Sequence, residues 1–240
     1  RERCDMLVLP EVSVPYSWLP FMVAHARQTQ MALVFGLEHW VSRKTAYNLL
    51  VTILPFKEDG RYRACRLFIR PKNHYAPAEL SELERLDLRT PSVTPGYFLF
   101  DWRDTRFTVF NCYELSNIRH RSAFRSEIDF LVGVEWNRDT PYFSNIVESA
   151  VRDLHCYMVQ VNTSQFGDSR ITSPKKSEEM NAVRVSGGLN TTLLKAEIDI
   201  RDLNDFRSKK ASPVDKRYKP TPAGFEHDAI RKREKTKSKA

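Results

Sequence analysis

A chain of 240 residues, 41% hydrophobic and 28% charged, is long enough to bury one substantial core or at most two small ones. No apolar stretch approaches the roughly 20 residues that a membrane-spanning helix needs, the longest lying around Met31 to Leu37, so a soluble protein with no membrane partner is expected. The formal net charge of +8 is carried in good part by the residues after Phe206, which leaves an acidic surface or nucleic acid open as a partner of that end.

Read in chain order, the apolar run Asp5 to Leu9 predicts a buried strand. Ser17 to Thr29 predicts a helix, with Leu19, Met22, Val23 and Ala26 at three- and four-residue spacing. Met31 to Glu38 and Tyr47 to Leu54 predict two neighbouring strands. Glu58-Asp59-Gly60 is a turn signal, and Tyr62 to Ile69 alternates as a strand does. Tyr97 to Trp102 and Arg106 to Phe110 predict a hairpin around Asp104. Then follow a strand at Ile128 to Val134, a helix at Phe143 to Leu154 and a strand at Cys156 to Asn162. Val183 to Leu189 and Leu193 to Ile200 read as closing strands, with a break at Gly187-Gly188. Strands interleaved with helical periods point to an α/β layered protein rather than an all-β barrel or a helical bundle. Past Phe206, Lys, Arg, Pro and Ser dominate, and residues 208–240 are expected to form a basic, disordered tail.

Cys4, Cys65, Cys112 and Cys156 are scattered, with no CxxC pair and no zinc-ligand spacing, which fits a reducing cytoplasm and no metal. Cys112 stands out, because it follows the apolar run Phe107-Thr108-Val109-Phe110 at the start of the polar turn Asn111-Cys112-Tyr113-Glu114. Leu7-Val8-Leu9-Pro10-Glu11 similarly sets a carboxylate just past a strand, and Arg70-Pro71-Lys72-Asn73-His74-Tyr75 sets a lysine past another. A carboxylate can take the proton of a thiol when a nearby ammonium offsets the charge, so the three residues together form a nucleophile with its base and its cation. Taken singly, Cys112 reads as a small buried apolar residue and Lys72 as a solvated charge. His74, His120 and His155 lack ligand spacing with a carboxylate and read as ordinary core or surface histidines.

These three segments, with Val34-Phe35-Gly36-Leu37-Glu38 before the lysine and Asn162-Thr163-Ser164-Gln165-Phe166-Gly167-Asp168-Ser169 after the cysteine, resemble the nitrilase, or carbon–nitrogen hydrolase, superfamily from about Cys4 to about Asp205. The resemblance implies a four-layer αββα sandwich over residues 1–207 and a catalytic triad of Glu11, Lys72 and Cys112 working without metal or organic cofactor. It implies that Glu79 supports the lysine, although the gap from Lys72 is one residue shorter than the family pattern and Glu82 or Glu84 are alternatives. It also implies that the Tyr113 N–H helps to hold an oxyanion, and that Glu135, Trp136 and Asn137 line a substrate pocket, Trp136 being alternatively a core residue. The family's first strand and helix have no counterpart, so a piece of a larger protein is expected. The function implied is hydrolysis of a non-peptide carbon–nitrogen bond, an amide rather than a nitrile, by a homo-oligomer. The alternative is an oligomerisation or docking module of a multidomain bacterial defence protein, a reverse transcriptase fusion, with nucleic acid reached through the basic tail or the fused domain.

Overall fold

The computed structural model describes residues 4–189, 191–209 and 215–237. In chain order its elements are β1 (Met6–Val8), α1 (Leu19–Thr29), β2 (Ala32–Gly36), β3 (Trp40–Ser42), β4 (Thr45–Tyr47), β5 (Leu49–Glu58), β6 (Tyr62–Pro71), α2 (Pro77–Arg85), β7 (Phe100–Trp102) and β8 (Thr105–Asn111). They continue with α3 (Ile118–Ser122), β9 (Phe130–Val134), α4 (Thr140–Leu154), β10 (Tyr157–Val161), β11 (Ser169–Thr172), β12 (Asn181–Val185), α5 (Ile200–Ser208) and α6 (His227–Lys237). One sheet runs β1-β2-β5-β6 and a larger one β12-β11-β10-β9-β8-β7, while β3 and β4 form a separate hairpin.

The layering follows from the side-chain alternation of buried strands. In β2, Ala32 and Val34 point into the core between the sheets, where Phe107, Val109, Phe130, Val132 and Tyr157 meet them from the larger sheet. Leu33 and Phe35 point the other way, onto Ala26, Met22 and Val23 of α1. In β9, Val132 faces the other sheet and Leu131 faces Val147, Ala150 and Val151 of α4. Helix, sheet, sheet and helix therefore stack in the four-layer order that the resemblance implies. Because β2 and β9 are buried on both sides, they read in the sequence as unbroken apolar runs. The Trp102 Nε1–H donates to the Pro55 carbonyl at 2.8 Å and so stitches the two sheets at one end.

Register then decides where the polar strand ends gather. Strands β8, β9 and β10 are parallel, with Asn111 and Val161 both paired to Val134. The next residues, Cys112, Glu135 and Asn162, consequently emerge side by side. In the smaller sheet β1 runs parallel to β2 and delivers Glu11, and the Lys72 N–H donates to the Asn48 carbonyl at 2.8 Å just past the β5–β6 pairing. The carboxyl ends of parallel strands are where α/β proteins bind ligands.

Two expectations are corrected here. Leu193 to Ile200 is not a strand: Leu193 is exposed, and the Asp199 side chain accepts the Asp202 N–H at 2.8 Å, which caps α5 and turns the last of these residues into a helix start. The alternating apolar residues had no neighbouring strand to pair with. The tail is not a solvated basic end over residues 215–237, where Tyr218, Phe225 and Ile230 are buried. Arg233 on α6 donates to the Asp129 carboxylate at 2.9 Å, and Arg207 on α5 donates to the same oxygen at 2.5 Å. Three apolar anchors and one buried carboxylate offset the ordering cost that the composition of this segment suggests. Residues 210–214 and 238–240 of the expected tail lie outside the described residues. The closing strand is also shorter than expected, ending at Val185 before the glycines.

Candidate active site

Glu11 sits in a tight turn after β1, on top of Gly36. A Cβ on Gly36 would lie 2.4 Å from the Val12 nitrogen and 2.7 Å from the Glu11 Cα, so only glycine lets the turn close. Gly36→Ala is therefore expected to push Glu11 out of line. We expect a loss of about 1–3 kcal/mol of stability, as overpacking costs, together with a change in the reactivity of Cys112 that persists at temperatures where the variant is fully folded. Thermal unfolding and cysteine labelling measured side by side check this.

The Lys72 ammonium is almost wholly buried and held between two carboxylates, at 2.7 Å from Glu11 Oε1 and 2.6 Å from Glu79 Oε2. Burial alone would favour the neutral amine, but the charges of Glu11 and Glu79 outweigh it and raise its pKa above the ordinary lysine range. Glu79 is thus the glutamate that reaches Lys72. It occupies the first turn of α2, where its Oε2 also accepts the Ala76 N–H at 3.4 Å. Burial pushes the Glu79 carboxyl up, yet His39, Lys72 and Asn48 together bring it down to about 2. The His39 Nε2 stands 3.8 Å from Glu79 Oε1, too far for a hydrogen bond.

Cys112 opens a 3-10 turn over Cys112–Ser116, with φ of 47°, a left-handed conformation rare outside glycine and asparagine. That bend sets the thiol where the charges of Glu11 and Lys72 both act on it. The Trp136 N–H donates to Glu11 Oε2 at 3.1 Å and also tends to lower the pKa of the thiol. Burial, then the Glu11 charge, raises the thiol well above its usual pKa. One ammonium among two carboxylates is too little to offset the burial of a thiolate, so the resting sulfur is held as a thiol.

What holds the bend is a buried ion pair. Arg70 grips Glu114 with both guanidinium nitrogens, at 2.7 and 2.6 Å, and a further Arg70 N–H reaches the Val109 carbonyl at 2.9 Å. Glu114 also accepts the N–H groups of Asn73 at 2.6 Å and Asn111 at 2.7 Å. One carboxylate therefore fastens the lysine segment to the cysteine turn. The Asn-x-x-Glu spacing of Asn111 and Glu114 is a readable capping signal. Asn48 is a second residue that the sequence reading missed. It donates to Glu11 Oε1 at 2.7 Å and Glu79 Oε1 at 3.0 Å, and accepts from Asn111 at 3.0 Å. Its signal was a lone amide opening the otherwise apolar run of β5.

Of the segment after β9, Glu135 is fully buried and accepts from Gln160 at 3.0 Å, the Trp136 ring is half exposed, and the Asn137 side chain is turned to its own chain, accepting the Asp139 N–H at 3.0 Å. Asn137 thus shapes the entry to α4. The Tyr113 N–H is among the first donors of the 3-10 turn, groups that such a turn leaves without a partner of its own. Asn162 accepts the Asn137 N–H at 3.0 Å and donates to the Gly167 carbonyl at 2.9 Å, a structural clamp. His74 and His120 meet each other at 3.2 Å, and His155 meets the Lys219 carbonyl at 2.7 Å. Among the described residues no group of three or more His, Cys, Asp or Glu is placed to hold a metal ion, and no helix is long and apolar enough to cross a membrane.

Known proteins of similar structure agree with this architecture. Nit3 of Saccharomyces cerevisiae, a member of branch 10 of the nitrilase superfamily, is 16% identical, with 88% of this chain and 81% of that one aligned at a TM-score of 0.62. A CN-hydrolase superfamily protein from Xanthomonas campestris is 15% identical over 85% and 81% of the two chains, with a TM-score of 0.59. An amidase from Nesterenkonia sp. AN1, with the acetamide moiety of fluoroacetamide on its active-site cysteine, is 13% identical over 77% and 74%, with a TM-score of 0.55. At such identities the likeness is one of fold. No curated protein matches the chain. The model of the carbon–nitrogen hydrolase family matches residues 1–207, nearly the whole layered body described above. By that match the chain belongs to the carbon–nitrogen hydrolase family, within the nitrilase superfamily whose fold it shares.

Proposed function

We propose that the protein hydrolyses a non-peptide carbon–nitrogen bond, that of a small amide, with Cys112 as nucleophile, Glu11 as general base and Lys72 as the cation that holds the developing oxyanion. The observation that carries this reading is the buried Glu11–Lys72 contact beside a thiol presented by a left-handed turn. The Cys112 sulfur attacks the amide carbon as its proton passes to Glu11, and the carbonyl electron pair moves onto oxygen. Lys72 and the Tyr113 N–H stabilise that oxygen. Collapse expels the amine, which takes the proton back from Glu11 and leaves a thioester on Cys112. Glu11 then deprotonates water for the second half of the reaction. Glu79 and Asn48 hold Lys72 and Glu11 in register. Trp136 acts through its backbone N–H, which donates to Glu11. A small amide is favoured over a nitrile because the N–H and ammonium donors suit a carbonyl oxygen.

The test is ammonia release from short aliphatic amides, followed together with the intact mass of the protein. Turnover with an acyl adduct on Cys112 supports the reading. Turnover that survives Cys112→Ala overturns it.

A further inference from the structure

Glu135 is a carboxyl that the chemistry above does not use. It follows β9 as Cys112 follows β8, and the register of Asn111 with Val134 makes the two side chains neighbours at parallel strand ends. It is fully buried, and its two oxygens differ. Oε2 accepts the Gln160 Nε2–H at 3.0 Å, whereas Oε1 has no partner among the described residues. The Gln160 amide cannot turn round, because its own oxygen accepts the Arg170 Nε–H at 2.7 Å. Arg170 in turn spends its remaining nitrogens on Ser144 and Glu148. Among the described residues no guanidinium or ammonium is bonded to Glu135.

We propose that Glu135 keeps a proton on Oε1 in the resting protein, so that Cys112 works beside a neutral acid, and that loss of this proton switches the thiol off. The inference rests on the reading of Cys112 as nucleophile. An ionised Oε1 would be a bare buried charge, whereas a neutral O–H is cheaper to bury and can turn toward sulfur. The charged groups facing Glu135 are Cys112 from the end of β8, Glu11 from the turn after β1, and Asp168 and Arg170 around β11, with Glu148 of α4 behind Arg170. Burial is the largest influence on this carboxyl and, with Asp168 and Glu11, outweighs Gln160 and Arg170, pushing it up to about 8. Above that pH a second carboxylate faces the thiol and opposes formation of the thiolate. Glu135 is a positioning residue acting through Cys112.

The experiment is the rate of iodoacetamide labelling of Cys112 between about pH 6 and pH 10, in wild type, Glu135→Gln and Glu11→Gln, with circular dichroism confirming the fold at each pH. Ordinary thiols label faster as pH rises. Because the thiol proton leaves to Glu11 and not to hydroxide, the wild-type rate is here expected to fall about tenfold above pH 8, the effect of one like charge at the neighbouring strand end. Lys72 does not cause this fall, since its pKa lies above the ordinary range and it stays charged. Glu135→Gln, which keeps the hydrogen-bonding shape, is expected to label steadily up to pH 10. A wild-type rate that climbs through pH 8, or the same fall in Glu135→Gln, overturns the proposal. The wild-type profile decides the matter even if Glu135→Gln does not fold. Fast, Glu11-dependent labelling without the fall removes the role of Glu135 alone. Slow labelling indifferent to Glu11→Gln removes the catalytic reading and this inference with it.

Discussion

Glu11→Gln is expected to slow turnover of an amide substrate by about 10²–10⁴-fold, the usual contribution of a positioned general base. The fold should persist, because a Gln at this site can still accept from Lys72 and Asn48 through its amide oxygen, the contacts that Glu11 Oε1 makes at 2.7 Å each. What the substitution removes is proton affinity, together with the acceptor of the Trp136 N–H. The thiol of Cys112 is held well above its usual pKa by burial and by the Glu11 charge, so it does not supply a thiolate unaided. Removing the negative charge makes the thiol easier to ionise, but it also removes the acceptor of the proton, and the account holds that the second effect dominates. Steady-state kinetics with a thermal melt of the same preparation checks this. A loss smaller than about tenfold in a folded variant would leave Glu11 without the role of a base.

Glu114→Ala carries the largest expected effect on stability, about 3–5 kcal/mol, because it leaves the Arg70 guanidinium buried with no counter-charge. It also removes the acceptor of the Asn73 and Asn111 N–H groups. The loss should therefore reach both the lysine segment and the cysteine turn, and Cys112 should lose its reactivity under conditions where most molecules remain folded. Urea titration of wild type and Glu114→Ala gives the first quantity, and cysteine labelling the second. Replacing Arg70 and Glu114 together with apolar residues of similar volume should cost less than Glu114→Ala, since no charge is then stranded.

The layers of the fold were legible because burial writes itself directly into sequence. Strands β2, β5, β8 and β9 are short apolar runs, and α4 carries Phe143, Val147, Ala150, Val151 and Leu154 at helical spacing. Glu11, Lys72 and Cys112 were nameable because each follows such a run and the residue types suit one chemistry. Their contacts were not legible. Asn48 lies 37 residues from Glu11, a separation closed by the pairing of β1, β2 and β5 in one sheet, and Glu114 lies 44 residues from Arg70, a separation closed by the stacking of the two sheets. The hairpin of β3 and β4 escaped because its strands are three residues each and partly exposed. The tail was misjudged for a related reason. Its few apolar residues, Tyr218, Phe225 and Ile230, are too sparse to show a period, yet each meets a place on a body that already exists. Asp129, whose charge draws in Arg207 and Arg233, is a single acidic residue at the mouth of a strand and carries no signal of its own.

The measurement that bears most directly on the central claim is the rate at which each cysteine reacts with limiting iodoacetamide near neutral pH, resolved by mass, in wild type and Glu11→Gln. Cys4 is exposed and serves as the ordinary thiol, while Cys156 is buried and pushed up to about 12, so it marks an inert one. Cys112, although buried, is expected to react faster than Cys4 in the wild type, and to slow toward the rate of Cys156 in Glu11→Gln. A Cys112 that reacts no faster than Cys156 in the wild type, or whose rate is unchanged by Glu11→Gln, contradicts that claim.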